Sequence, residues 1–301
     1  MRAVQECYGC LERLIITTAT LATDEPGLRE QAIETGRKVL KAEFSFERIP
    51  AMIAAAAQRA IRDLCGNCDP FREVKDRELA LSARLVNEAI RFSGGGWDGL
   101  FRLAALGNTV DFFRDLETVA EEMRRPVKFA VSEIPVFLER LKSAQRILFM
   151  TDNAAECHFD LPLYRRLSEA VEEVIYVVKA RPVQNDLTLA DLEACGLKEA
   201  FERVETTGTD SPGLDMEAAS PEFKALYSGA DLILAKGMGY YETFSETRDD
   251  RVMHLLKAKC RPVAAALGVP QGSFVAAFIA APHGRRTHAR RRVNSVTVGG
   301  S

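Results

Sequence analysis

The chain has 301 residues, of which 47% are hydrophobic, so it can bury a substantial core in one large domain or two modest ones. Its 40 lysines and arginines nearly balance its 43 aspartates and glutamates, and the formal net charge is -3. This balance excludes a global electrostatic attraction to nucleic acid or to an anionic membrane, so any phosphate must be bound by a local site.

The first part of the chain has helical periodicity. Apolar side chains recur at i, i+3, i+4 and i+7 in LERLIITTATLA, IPAMIAAAAQRAIRDLC, RELALSARLVNEAIRF and AVSEIPVFLERLKSA. Strand-like runs are absent from this part, and breaks fall at NCDPF and FSGGGWDG. The pattern predicts a helical-bundle domain over residues 1–142.

The second part changes to short apolar runs separated by helical stretches. Five strands are predicted, which are RILFM (146–150), EVIYVVKA (173–180), FERVETT (201–207), ADLILAKG (230–237) and CRPVAAALG (260–268). They begin at intervals of about thirty residues and are apolar on both faces, as βαβ units require. The predicted fold class is therefore α/β, a doubly wound and mostly parallel sheet in an α/β/α domain over residues 143–282.

Polar residues follow the first two predicted strands, at the edge where open α/β sheets bind ligands. Asp152 and Asn153 follow the first strand, and Asp186 follows the second. Two carboxylates and an amide oxygen form an all-oxygen set that suits magnesium, manganese or a similar divalent ion. The alternative is that these residues only cap helices and form turns.

The next two strand ends predict an oxyanion site beside the metal. Thr206, Thr207 and Gly208 offer exposed N–H groups, and Lys236 precedes Gly237, which lets backbone approach a ligand closely. A metal that polarises phosphorus and lowers the pKa of a bound water would make hydrolysis of a phosphate monoester the natural reaction.

Histidine chemistry receives little support from the sequence. The chain has only four histidines, so a Ser-His-Asp or Cys-His enzyme is not favoured. Glu156 or an aspartate is the better candidate for a general base.

A series of motifs resembles a known family. The motifs are CYGC, CDPFREVK, GNTVDF, TDNAAE, VVKARPVQNDLTLAD, TTGTDSPGLD and LILAKGMGYYET, in that order over roughly residues 5–275. Together they resemble the metal-dependent damage-control phosphatases of prokaryotic stand-alone type, long catalogued as domain of unknown function eighty-nine. The resemblance implies hydrolysis of small phosphate monoesters, such as sugar phosphates or damaged or surplus metabolites, with manganese, cobalt, nickel or magnesium as the activating ion.

The resemblance also implies roles for individual residues. Asp152, Asn153 and Asp186 would hold the metal, and Lys236 matches the phosphate-contacting lysine of the family. Asn108 and Asp111 of GNTVDF would approach the substrate from the helical part, unless they only cap and pack a helix.

Two positions depart from the family pattern. Ala155 replaces the usual glycine of the D-N-A-G-E form, and Gly239 replaces an asparagine that often follows the K-G pair by two positions. The second change could alter substrate contacts or lower turnover, which keeps a non-catalytic phosphometabolite-binding protein as an alternative. A protein carboxyl methyltransferase is a weaker alternative, because no G-x-G-x-x-G loop follows a strand.

The cysteines allow a second metal site. Cys7 with Cys10 and Cys65 with Cys68 form two C-x-x-C pairs that could hold a structural zinc if the helix ends meet, or could be ordinary semi-buried thiols. The odd total of seven cysteines, the lack of a signal peptide and the lack of a long apolar run predict a cytoplasmic protein with reduced thiols.

The basic segment 283–301 is predicted to be a solvated, disordered tail and not a specific nucleic-acid site. The expected partner is a small phosphorylated metabolite, with no membrane partner. No pattern indicates an oligomeric state.

Overall fold

A computed structural model describes residues 1–109, 121, 126–247 and 249–278 of the chain. Asp111 and the basic segment 283–301 lie outside these residues. No helix among the described residues is long and apolar enough to cross a membrane.

The N-terminal part is helical, as predicted. Its helices are α1 (Gln5–Ala22), α2 (Pro26–Glu43), α3 (Pro50–Cys65), α4 (Arg72–Ser93) and α5 (Gly96–Gly107). Proline at the first position starts α2 and α3, where a missing N–H costs nothing, and α3 ends at Gly66 in the left-handed conformation. Helices α1, α2 and α3 share a core that includes Leu14, Ile15, Ile53 and Ile61.

The rest of the described chain alternates strands and helices. The strands are β1 (Phe129–Ser132), β2 (Arg146–Met150), β3 (Glu173–Val178), β4 (Val204–Thr206), β5 (Leu232–Lys236), β6 (Val252–Lys257) and β7 (Phe274–Phe278). The helices are α6 (Ile134–Leu141), α7 (Cys157–Ser168), α8 (Leu189–Ala194), α9 (Pro221–Ser228), α10 (Gly237–Phe244) and α11 (Arg261–Leu267). Short 3-10 turns cover Ala154–Glu156 and Lys198–Ala200.

Among the described residues, seven strands form one sheet in the order β1-β7-β6-β5-β2-β3-β4. All neighbouring strands are parallel except β6 and β7, which are antiparallel. The predicted α/β fold class with a mostly parallel sheet is therefore confirmed. From β2 the chain moves outward to β3 and β4 and then returns to the other side of β2 as β5, so a topological switch point lies between β2 and β5.

Two strand predictions are wrong. The segment 260–268 is not a strand but contains helix α11, because Pro262 suits a helix N-terminus, the following alanines favour a helix, and Gly268 ends it with φ of +68°. The strand instead lies just before it, at β6. Strands are also not absent from residues 1–142, since β1 pairs with β7. This edge strand has only four residues and is largely exposed, so it carries no strong period.

An ion-pair cluster joins the helical layer to the sheet. Arg59 Nη2 of α3 lies 2.7 Å from Asp210 Oδ1, and Arg62 donates to the other carboxylate oxygen. Asp210 is buried in the loop after β4. Burial alone would raise the pKa of Asp210, but the hydrogen bonds from Arg59 and Arg62 hold it below its usual range.

We expect Asp210→Asn to lower the free energy of unfolding by about 2 kcal/mol at neutral pH, because it removes the buried carboxylate that pairs with the largely buried Arg62 and with the half-exposed Arg59. A carboxyl group whose pKa is lowered on folding stabilises the protein above its unfolded pKa of 3.8, and this contribution disappears as the pH falls toward the folded value. The difference between wild type and variant in urea unfolding should therefore shrink below about pH 4. The matched control is Asp63→Asn, an exposed position in α3, the helix that carries Arg59 and Arg62. An equal loss of unfolding free energy in that control would contradict the prediction.

Candidate active site

The backbone after β2 is fixed against the segment that follows β3. Leu187 donates its N–H to the Asp152 carbonyl at 2.8 Å, and Ala154 donates to the Asn185 carbonyl at 2.7 Å. Between them, Asn153 and Asp186 form an isolated antiparallel bridge. The structure thus brings together Asp152, Asn153 and Asp186, the three residues from two strand ends that the sequence predicts as metal ligands.

Asn108 reaches this cluster from the end of α5. Its Nδ2 donates to Asp152 Oδ2 at 2.8 Å and to Glu156 Oε1 at 2.7 Å, and its Oδ1 accepts from the Lys257 N–H at 3.1 Å. The side chain is fully buried and satisfied on both sides. Asn108 therefore holds the carboxylate of Asp152 in place, while Asp111 lies outside the described residues.

Burial and mutual repulsion raise the pKa values of the carboxylates in the cluster, although nearby lysines oppose the effect. Burial and the neighbouring Glu156 carboxylate raise the pKa of Asp152 to about 6. Burial also raises the pKa of Asp186 well above its ordinary value, although Lys179 opposes this effect. Asp186 Oδ2 is buried without a hydrogen-bond partner, and Lys179 Nζ is 3.6 Å away. A buried carboxylate oxygen that accepts no hydrogen bond and lies beside a second carboxylate fits a cation ligand.

Gly237 directly follows β5 as the first residue of α10, and the Asp152 carboxylate beside it leaves no room for a side chain. Its φ of +80° favours glycine, and a Cβ atom there would lie 2.0 Å from Asp152 Oδ2. The two strands that flank the switch point therefore meet through the Asp152 carboxylate and the Gly237 backbone.

Lys236, the predicted phosphate contact, lies beneath the cluster and is not among the residues that line the cleft described below. Its side chain is fully buried and forms ion pairs with Glu156 and Asp160, which follow β2 in the first turns toward α7. Asp160 also accepts from the Tyr176 hydroxyl at 2.9 Å. Burial alone would lower the pKa of Lys236, but Asp160 and Glu156 raise it above its usual value. This lysine is committed to two carboxylates beneath the site.

Glu156, the predicted candidate for a general base, likewise lies among buried polar partners. Its Oε1 accepts from Asn108 Nδ2 and from Asn153 Nδ2 at 2.8 Å, while Oε2 faces Lys236. The side chain is fully buried and does not line the cleft described below. Glu156 is therefore a positioning residue for the two asparagines.

The segment Thr206–Gly208 is also separated from the cluster. β4 is the edge strand of the sheet, two strands from β2. Thr207 Oγ1 lies 3.2 Å from Thr209 Oγ1, and a Cβ atom on Gly208 would lie 2.6 Å from Ser220. These groups pack against the start of α9 and are not among the residues that line the cleft.

A cleft of about 1120 Å³ opens above Asp152, Asn153 and Asp186. Its far wall comes from α1 and the start of α3, and its near wall from α10 and the loops after β2, β3, β4 and β6. The cationic side chains that line it are Arg13, Lys257, Lys259 and Arg261. Lys259 is electrostatically coupled to Asp152, because its charge lowers the pKa of that carboxyl.

Sequence reasoning missed two residues of this cleft. Lys259 comes just after β6 (Val252–Lys257). Because the predicted strand was 260–268, Lys259 was expected before a strand and not at the carboxyl end of one. Glu242 lies in α10, and its Oε2 accepts from the Ala51 N–H at 2.9 Å. Burial raises the pKa of Glu242 to about 7, which is suitable for proton transfer near neutral pH.

Gly239, the departure from the family pattern, packs tightly against the loop after β4. A Cβ atom there would lie 2.3 Å from the Pro212 carbonyl oxygen. On Gly213 a Cβ atom would lie 2.4 Å from the Gly239 carbonyl oxygen. Glycine at 239 is therefore matched to a backbone contact in this chain.

We expect Gly239→Asn, which restores the family residue, to lower stability by about 2 kcal/mol, because the added side chain forces Pro212 to move. Gly9→Asn is the matched control, since Gly9 is also helical and its Cβ would meet nothing closer than 3.8 Å. Thermal melting of both variants measures the effect. A melting temperature for Gly239→Asn equal to that of Gly9→Asn would show that the loop accepts the side chain freely.

The two C-x-x-C pairs do not meet. Within the described residues, no group of three or more metal-binding side chains includes Cys7, Cys10, Cys65 or Cys68. Cys7 and Cys10 line the cleft with Cys260, while Cys65 and Cys68 lie at the end of α3. Among the described residues this favours the alternative of ordinary thiols over a four-thiolate zinc site at these pairs.

The fold and the cluster define a class, a doubly wound α/β protein with a buried acidic site at its switch point. Residues 3–275 match the family described as the damage-control phosphatase ARMT1-like domain. The chain is 33% identical to a damage-control phosphatase of Pyrococcus horikoshii, over 91% of this chain and 97% of that protein. It is 30% identical to a damage-control phosphatase of Archaeoglobus fulgidus, over 91% of this chain and 98% of that protein.

The fold agrees with these matches. The crystal structure of a DUF89 family protein from Pyrococcus horikoshii superposes with a TM-score of 0.84 at 32% identity, covering 93% of this chain and 99% of that chain. The chain therefore belongs to the damage-control phosphatase family.

Proposed function

We propose that the protein is a divalent-metal-dependent phosphatase that hydrolyses small phosphate monoesters. The observation that carries the proposal is the pair of buried carboxylates, Asp152 and Asp186, beside a cleft lined by cations. Family membership supports phosphatase activity. Metal dependence and the substrate class rest on the chemistry of the site.

Asp152, Asn153 and Asp186 are the residues that would hold the metal. The Asn153 amide nitrogen donates to Glu156, so its oxygen is the atom that would serve as the ligand. This all-oxygen set favours manganese, magnesium, cobalt or nickel over a thiophilic ion. A divalent ion bound there would supply polarisation of phosphorus and a water of lowered pKa.

The surrounding residues would orient the substrate and move protons. Asn108 keeps the Asp152 carboxylate in one orientation, and Lys236 neutralises Glu156 and Asp160 below it. Lys259 is the cation at the cleft best placed to bind the phosphate oxygens, in the role that the sequence gave to Lys236. Glu242, with a pKa of about 7, is the candidate that would protonate the leaving group.

The experiment is a phosphate-release screen over sugar phosphates and other small phosphometabolites, with manganese, cobalt, nickel and magnesium each added to chelator-treated protein. We expect metal-dependent release of inorganic phosphate. Equal release without any metal would overturn the metal dependence.

We expect Lys259→Ala to raise KM for a phosphate monoester at least tenfold, because one charge-assisted contact to the phosphate is lost. The melting temperature should change little, since Lys259 is only half-buried. The exposed Lys41→Ala controls for loss of a lysine. An unchanged KM in Lys259→Ala would remove this lysine from the phosphate site.

A non-catalytic phosphometabolite-binding protein is the second candidate, because Gly239 at the cleft replaces a family asparagine. In that case a sugar phosphate would bind at equilibrium in the presence of manganese, with no phosphate released over hours. The same screen separates the two functions.

A further inference from the structure

A second group of metal-binding side chains lies outside the carboxylate cluster and outside the cleft lining. Cys157 and His158 begin α7, and Cys195 follows the end of α8. One ligand atom from each, two sulfurs and an imidazole nitrogen, lies within 4.8 Å of the others. Across residues 1–109, 126–247 and 249–278, no other group of His, Cys, Asp and Glu side chains meets in this way.

The donor set is chemically unlike that of the proposed phosphatase site. Two thiols and an imidazole are the ligands that zinc prefers, in a tetrahedral arrangement with ligand distances of about 2.0 to 2.3 Å. Tetrahedral ligands at these distances lie roughly 3.5 Å from one another, so small side-chain rotations would close the site. The two thiols carry no disulfide.

A second observation concerns His158. Its Nε2 atom is buried and has no hydrogen-bond partner. A buried imidazole nitrogen normally has a partner, and a metal ion is one of the partners that histidine accepts. A simple thiol pair would leave this nitrogen unexplained.

The site is also reachable. Cys157 is fully buried, whereas His158 and Cys195 are partly exposed, so an ion can enter from solvent. Three protein ligands would leave a fourth position for water.

We propose that Cys157, His158 and Cys195 form a zinc site distinct from the phosphatase metal site. On binding, each thiol releases its proton to solvent and the neutral imidazole donates a lone pair from nitrogen. The ion would join the start of α7 to the end of α8. Because α7 begins directly after Glu156, it would stiffen the turn that presents Glu156 to Asn108 and Asn153. The proposal does not depend on the proposed function.

Cobalt distinguishes the two sites, because only thiolate ligands give intense sulfur-to-cobalt charge-transfer absorption in the near ultraviolet. Reduced, chelator-treated full-length protein is titrated with cobalt under anaerobic conditions, and then with zinc. We expect a charge-transfer band that saturates at a single ion per chain and is bleached by zinc. Cys195→Ser should lose the band, His158→Gln should weaken cobalt binding at least tenfold, and Cys65→Ser should retain the band as the matched control.

Circular dichroism and thermal melting of the metal-free variants show whether they fold. If Cys195→Ser does not fold, His158→Gln, at a partly exposed position, still tests the site. Absence of the band in reduced wild-type protein would overturn the proposal. So would a band that persists in both Cys195→Ser and His158→Gln, since other thiols would then be responsible. A Cys157–Cys195 disulfide found by peptide mapping, with no cobalt band after reduction, would assign the pair to redox chemistry instead.

Discussion

Asp152→Asn should lower kcat/KM for phosphate monoesters by about 1000-fold, equivalent to about 4 kcal/mol of transition-state stabilisation. The substitution keeps the shape of the side chain and its contact with Asn108, but removes a charge needed to hold the cation. Manganese should therefore no longer raise the melting temperature of the variant. The measurements are phosphate release and thermal melting with and without manganese.

Without metal, Asp152→Asn should not destabilise the protein. Burial and Glu156 raise the pKa of Asp152 on folding from its ordinary value of 3.8 to about 6, so its ionised form opposes folding near neutral pH. Asp152→Asn removes this cost, and the variant should be at least as stable as wild type without metal. The exposed Asp24→Asn should retain both activity and the manganese shift. Full activity in Asp152→Asn would refute the proposed metal site.

Lys236→Met should lower the free energy of unfolding by about 4 kcal/mol, the largest stability effect we expect from one residue. The substitution leaves Glu156 and Asp160 buried without their cation. Burial already raises the pKa of Asp160 to about 7 despite Lys236, so loss of the lysine leaves a strongly disfavoured pair of acids. Urea unfolding at neutral pH measures the loss.

A double variant makes this prediction specific. Adding Asp160→Asn to Lys236→Met should restore part of the stability, because it removes one of the two orphaned charges. The exposed Lys142→Met should have little effect. If Lys236→Met remained as stable as wild type and only raised KM, Lys236 would be a phosphate contact after all, as the sequence suggested.

Local patterns predicted the fold class and the residues of the acidic cluster. Runs apolar on both faces mark buried parallel strands, and polar residues just after them mark the ligand edge. Asp152, Asn153 and Asp186 were therefore found without knowledge of strand order.

Features that depend on the order of strands in the sheet could not be predicted from the sequence. Thr207 and Gly208 follow a strand as clearly as Asp152 does, but that strand, β4, is at the edge of the sheet, away from the switch point. The partners of Lys236 left one overlooked signal. Glu156 and Asp160 are four residues apart at the start of a helix, so their side chains lie on the same face. Two acids on one face of a buried segment require a cation nearby.

The contact between Gly213 and Gly239 has an evolutionary consequence. A Cβ atom on Gly213 would meet the Gly239 backbone, and a Cβ atom on Gly239 would meet the Pro212 backbone. A substitution at one position therefore changes what is tolerated at the other. An asparagine at 239 becomes acceptable only in a background where the 212–213 loop has already moved. Substitutions at the two positions should therefore be strongly epistatic.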